Sequence, residues 1–185
     1  MDTYIAVLLI FVLSVVVHEA GHALTALAMG YKLKKFYIGI PFETEIRGVK
    51  ITTNFFKKKI GDVEFGLSAL LLGGAVDFYD LEEAPLWKFF LVVVYGPVAS
   101  LLLGFIPLLL YYNFETAFYV SQVITTVVLT TLGQFVSGGL PTEQIVGPVG
   151  AVQQMASFAS GYDNGLVLLL VVLNLSFFAT NILPI

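Results

Sequence analysis

The stretch YIAVLLIFVLSVVVHEAGHALTALAM, residues 4–29, is apolar apart from a polar knot at His18, Glu19 and His22. It exceeds the roughly 20 residues that a helix needs to cross a bilayer. A secretory signal would need a basic residue near its start, and Met1-Asp2-Thr3 has none. The run therefore reads as a retained span. On a helix, residues four apart share a face, so His18 and His22 point the same way. Two imidazoles so placed can bind one zinc ion, and a Glu beside the first can act as general base. The chain has only 2 histidines, and both are in this knot. A packed polar contact or a proton relay is the alternative. Ionisable groups inside membranes are functional by default, and a lone Glu there costs roughly 3 kcal/mol. A bound cation offsets that cost, and zinc accounts for all three residues together.

Composition agrees with a bilayer as solvent. Hydrophobic residues make up 58% of the chain and charged ones 12%, against nearly half and a quarter in soluble domains. Cysteine is absent, which removes disulfides and thiolate metal sites. A net charge of -4 without a basic face argues against nucleic acid. Of the 9 basic residues, all but Lys88 lie between Lys32 and Lys59, in the loop after the first span. The positive-inside rule puts that loop in the cytoplasm and the N-terminus outside.

Residues 87–112 form a second apolar run, with Trp87 and Tyr111-Tyr112 at its ends as interfacial aromatics. Residues 166–183 form a third, interrupted by Asn174, Ser176 and Asn181. Between the first two, residues 34–75 alternate polar and apolar at 45–52 and 62–65, the period of strands. Lys57-Lys58-Lys59 suits a solvated turn there. Residues 114–160 carry Glu, Gln, Thr and Ser among apolar residues and read as a peripheral helical region. The expectation is a mainly α-helical membrane protein of one domain, 1–185. It has three transmembrane helices, a small cytoplasmic membrane-associated β-loop and a peripheral helix. Asp62, Asp77 and Asp80 read as loop acids outside the site.

The knot His18-Glu19-Ala20-Gly21-His22 resembles the site-2 protease family of intramembrane zinc metalloproteases. Four further pieces follow in family order. Residues 59–69 with Gly73-Gly74 are similar to its membrane-associated β-loop, and Tyr95-Gly96-Pro97-Val98-Ala99 to its second-span Gly-Pro motif. Gly147-Pro148-Val149-Gly150 resembles the segment before its third span, and Asn181 to Ile185 the start of its Asn-x-x-Pro-x-Pro-x-Leu-Asp-Gly motif. The resemblance implies Zn2+ as cofactor, with His18 and His22 as metal ligands and Glu19 as catalytic base. The Asp of the last motif would be the third ligand, beyond Ile185. Without that Asp, the chain is expected to be inactive. The span between the second and third runs is too short for the PDZ domains of the bacterial sigma-regulating members. Ser100 stands where the family often has Asn.

The expected function is cleavage of peptide bonds in or near transmembrane segments, with a single-span membrane protein as partner. An exposed strand edge can hold such a substrate extended, which makes Val49, Ile51, Val63 and Phe65 candidate substrate-binding residues together with Asn181. A non-catalytic homologue that binds partners and a proton-coupled transporter-like protein are the alternatives. The transporter needs a polar path that the later spans lack. For topology, His18 lies about 21 Å along the first span and Asn181 about 22 Å along the third at ~1.5 Å per residue. With 114–136 kept outside, both motifs fall at one depth near the cytoplasmic side. A Cys at Thr142 should then react from outside.

Overall fold

Long apolar runs carry most of the chain into helices. In the computed structural model, which describes residues 2–46, 49–69, 73–139, 141 and 146–182, five helices flank a six-stranded segment. These are α1 (Thr3–Ala28), α2 (Leu86–Tyr111), α3 (Phe114–Val136), α4 (Pro148–Ser160) and α5 (Gly165–Asn181). The strands β1 (Leu33–Ile38), β2 (Glu43–Ile46), β3 (Val49–Thr52), β4 (Asn54–Ile60), β5 (Val63–Ser68) and β6 (Gly74–Phe78) lie between α1 and α2. The chain divides into two units, Val15–Gly96 and Met1–Ser14 with Pro97–Ile185.

In the Val15–Gly96 unit, β4-β5-β1-β6 form one sheet and β2-β3 a separate ribbon. β1 pairs parallel with β5 and antiparallel with β6. The sheet packs around Tyr37, which is 2% exposed and donates its hydroxyl to Glu64 Oε1 at 2.6 Å. The alternation at 45–52 is the β2–β3 ribbon and that at 62–65 opens β5. The lysine triplet is a correction: Lys57, Lys58 and Lys59 lie within β4, and the turn falls at Gly61-Asp62, where Gly61 has φ 62. β4 is a sheet edge with its lysines exposed, and edge strands tolerate lysine because charge blocks further pairing. Asp77 is likewise in strand β6, paired with Lys34 at 3.1 Å, while Asp62 and Asp80 lie in turns as expected.

In the other unit, helices pack through small and branched residues. Leu108, Ala117, Val171 and Leu175 form one buried cluster, joined by Leu101, Phe105, Val120 and Ile124. Val7, Ala156, Ala159 and Leu169 form another. Asn113 caps α3 by accepting from the Thr116 amide at 2.9 Å. Only Tyr112-Asn113 separate α2 from α3; Phe105 of α2 meets Phe114 of α3 edge-on with ring centroids 6.0 Å apart, and both helices contribute to the cluster shared with α5. Gly104 faces Val171 and Leu175, whereas Leu101 and Leu102 share a groove with Phe178. The later half of α2 therefore runs antiparallel to α5.

Among the described residues three helices are long and apolar enough to cross a membrane: α1, α2 and α3, with mean hydropathies of 2.1, 2.3 and 1.3 in their most apolar stretches. α5 is apolar but has 17 residues, about 26 Å at ~1.5 Å per residue. The expected third span ends at Leu183, outside the described residues, as does Thr142. The stretch 114–136, expected to be peripheral, is one continuous helix that begins against α2, where Phe114 meets Phe105.

Candidate active site

α1 carries His18, Glu19 and His22 through one unbroken helix, and β6 and α2 bring backbone to them. His18 is 7% and Glu19 6% exposed. The two imidazoles are four residues apart, with ring centroids 4.9 Å apart and planes at 76°. Their Nε2 atoms are 3.2 Å apart. Two nitrogens bound to one tetrahedral zinc at ~2.0–2.1 Å are separated by about 3.3 Å, so this spacing fits a shared ion. His22 Nδ1 lies 2.7 Å from the Val92 carbonyl oxygen. A carbonyl only accepts, so Nδ1–H donates, and in the neutral ring Nε2 keeps its lone pair. A ring so anchored is oriented as metal ligands are.

An interior proline of α2 follows this contact in sequence. Pro97 lies inside α2. It has no N–H for the Val93 carbonyl. The adjacent Val92 carbonyl is the one that meets His22. Gly96-Pro97 stands out in the sequence and Val92 does not, because any residue supplies a carbonyl. A second missed group is Ser14. Its hydroxyl donates to Ile10 O and accepts from Asn174 Nδ2, both at 2.8 Å, within the unit that also holds α5. Asn174 is fully buried, and its Oδ1 has no hydrogen-bond partner among the described residues.

The expected substrate residues fare differently. Val63 and Phe65 lie in β5, between β4 and β1, so both their backbone edges are already paired. They cannot accept an added strand, which corrects that expectation. Val49 and Ile51 lie in β3, paired only with β2. β6 is the remaining edge of the larger sheet on the β1 side. The Gly39 amide bonds Gly73 O at 2.8 Å, flanking the Ile38–Gly74 pair. In an antiparallel ladder this makes Ile38–Gly74 a pair without mutual bonds. The main-chain groups of Gly74 and Val76 thus point away from β1. Asn181 ends α5, exposed, with its Nδ2 donating to Phe177 O at 2.9 Å. Leu183, Pro184 and Ile185 of its motif lie outside the described residues. Among the described residues no three His, Asp or Glu gather as a full metal-ligand set.

An apolar helix bearing an HExxH knot, a small sheet and a Gly-Pro helix together define a class of membrane-associated metallopeptidase. The chain belongs to peptidase family M50, whose sequence profile matches residues 6–185. It is similar to the zinc metalloprotease Rip1 of Mycolicibacterium smegmatis, with 25% identity over 113 residues, 53% of this chain and 26% of the relative. A Chlamydia pneumoniae protein provisionally named a zinc metalloprotease is 29% identical over 123 residues, 54% of this chain and 18% of the relative. These alignments thus take in about a quarter or less of each curated relative.

Proposed function

We propose that the chain is the membrane-embedded core of a zinc endopeptidase that hydrolyses peptide bonds within or beside transmembrane segments. The observation that carries this is the pair of Nε2 atoms 3.2 Å apart, with Glu19 buried beside them and His22 tied through Nδ1 to Val92. His18 and His22 would hold the ion. Zinc, when bound, supplies a Lewis acid that acidifies water and polarises a carbonyl. Glu19 takes the proton of the attacking water and passes it to the leaving nitrogen. Catalytic zinc usually has three protein ligands, and the family resemblance makes an Asp the third.

The partner is a single-span membrane protein whose helix must open before its carbonyls can be attacked. The free edge of β6 supports the reading that an extended segment pairs there, by strand addition. Residue 74 of that strand lies against Glu19. The basic loop supports a cytoplasmic location for the sheet and an outside N-terminus. The test is cleavage of a model single-span substrate by the full-length protein in liposomes. Glu19→Gln should lower turnover at least about 100-fold, and chelation should abolish it until zinc is restored. Turnover indifferent to both would refute the proposal.

A further inference from the structure

Two glycines stand where backbone from β6 and α2 reaches the proposed site, and nothing so far explains why they are glycine. A Cβ built on Gly96 would lie 2.1 Å from His22 Nε2, 2.3 Å from Cε1 and 2.6 Å from Cδ2. A point in the ring plane beyond Nε2 would be much farther from both carbons. The missing Cβ therefore belongs over the ring face, and the lone-pair edge stays clear. Gly96 is one turn from Val92 on α2, so one turn of that helix supplies both an acceptor for Nδ1 and a flat seat for the ring. A Cβ on Gly74 would lie 2.5 Å from Glu19 Cγ, 2.8 Å from Oε1 and 2.9 Å from Cδ. Neither glycine has φ in the left-handed region, so conformation does not require them; the close approach does.

We infer that Gly96 and Gly74 are separate positioning residues, Gly96 for the metal-ligand geometry of His22 and Gly74 for the carboxyl of Glu19. This rests on the proposed zinc peptidase reading. In both cases the obstructed atoms belong to the site's own side chains. An added methyl therefore displaces the functional group before it disturbs the fold. Gly96→Ala also raises helix propensity, so a loss it causes is not a loss of helix. The two positions should separate metal binding from proton transfer.

The experiment measures zinc affinity by competition with a chromophoric chelator, together with kcat and KM, on the full-length protein. Gly96→Ala should weaken zinc binding by about 10–100-fold, as when an orienting partner of a ligand is removed. Gly74→Ala should bind zinc as the wild type does, keep KM and lose kcat. Gly133→Ala is the control, since a Cβ there meets nothing within 4 Å. Wild-type zinc affinity in Gly96→Ala, or wild-type kcat in Gly74→Ala, overturns the inference. Should Gly96→Ala not fold, Gly74→Ala decides alone, because what it meets is a flexible chain end. His22→Ala separates the two levels: if it binds zinc as the wild type does, the peptidase reading itself fails, whatever the glycine variants do.

Discussion

A neutral histidine has one ring proton to place, and in this protein the Val92 carbonyl decides where it goes for His22. That single bond leaves His22 Nε2 as the ring's acceptor, turned toward His18 Nε2 at 3.2 Å, which the i, i+4 spacing alone does not do. His18, Glu19 and His22 were legible because their spacing is chemically unusual in an apolar run. Val92 was not, since a backbone acceptor leaves no mark on residue type. Asn174 is the other residue whose role needed three dimensions. Its amide bonds Ser14 across helices, a contact worth about 0.6 kcal/mol on average within membranes. Ser14→Ala should therefore cost roughly that much, because Asn174 Nδ2 keeps its bond to Leu170 O. Asn174→Ala should cost more, about 1–3 kcal/mol, by adding lost packing at a fully buried position. Denaturant titration in mixed micelles measures both. Equal stability of Asn174→Ala and wild type would show that the Oδ1 without a partner among the described residues offsets what the side chain contributes.

At the scale of elements, alternation revealed strands but not their order. β5 follows β4 through a two-residue turn yet lies inside the sheet, because β1 returns to pair with it in parallel. Nothing local encodes that long-range pairing, and so the free edge moved from β5 to β6. Proline scanning distinguishes the two. In β5 it should break the sheet, since both edges are bonded. Val76→Pro removes only an outward N–H, so fold and zinc should persist while substrate cleavage falls. Full cleavage by Val76→Pro would rule out pairing at this edge. The β2–β3 ribbon has its own tether. Lys57, and then Asn54, hydrogen-bond Glu43 and hold its carboxyl below the usual carboxylate range. A depressed pKa means the tether is present above the ordinary carboxylate pKa and is lost as pH falls through the lowered one. Glu43→Gln should speed amide exchange in residues 43–52 at neutral pH, and the difference from wild type should vanish in acid. A difference that persists in acid would mean the ribbon is held by something else.

For the whole molecule, three apolar runs and a basic loop were readable as a membrane architecture, whereas the path between α2 and α5 was not. Sequence reading tied the direction of α5 to whether 114–136 crosses. The helix contacts remove that dependence, because α5 runs antiparallel to the later half of α2. Residues 137–164, with α4 among them, connect α3 to α5 in the chain. If the basic loop is cytoplasmic, α2 runs outward and α5 inward. Asp163→Cys, just before α5, should then label from outside and Lys58→Cys only from the cytoplasm. Labelling of both from one side would contradict this topology. The central claim, however, is a metal held by His18 and His22, and X-ray absorption at the zinc edge of the full-length protein addresses it most directly. Nitrogen neighbours at about 2.0–2.1 Å with imidazole scattering should be present in the wild type and in Glu19→Gln, and diminished in His22→Ala. A zinc spectrum without imidazole scattering, or one unchanged by His22→Ala, would contradict it.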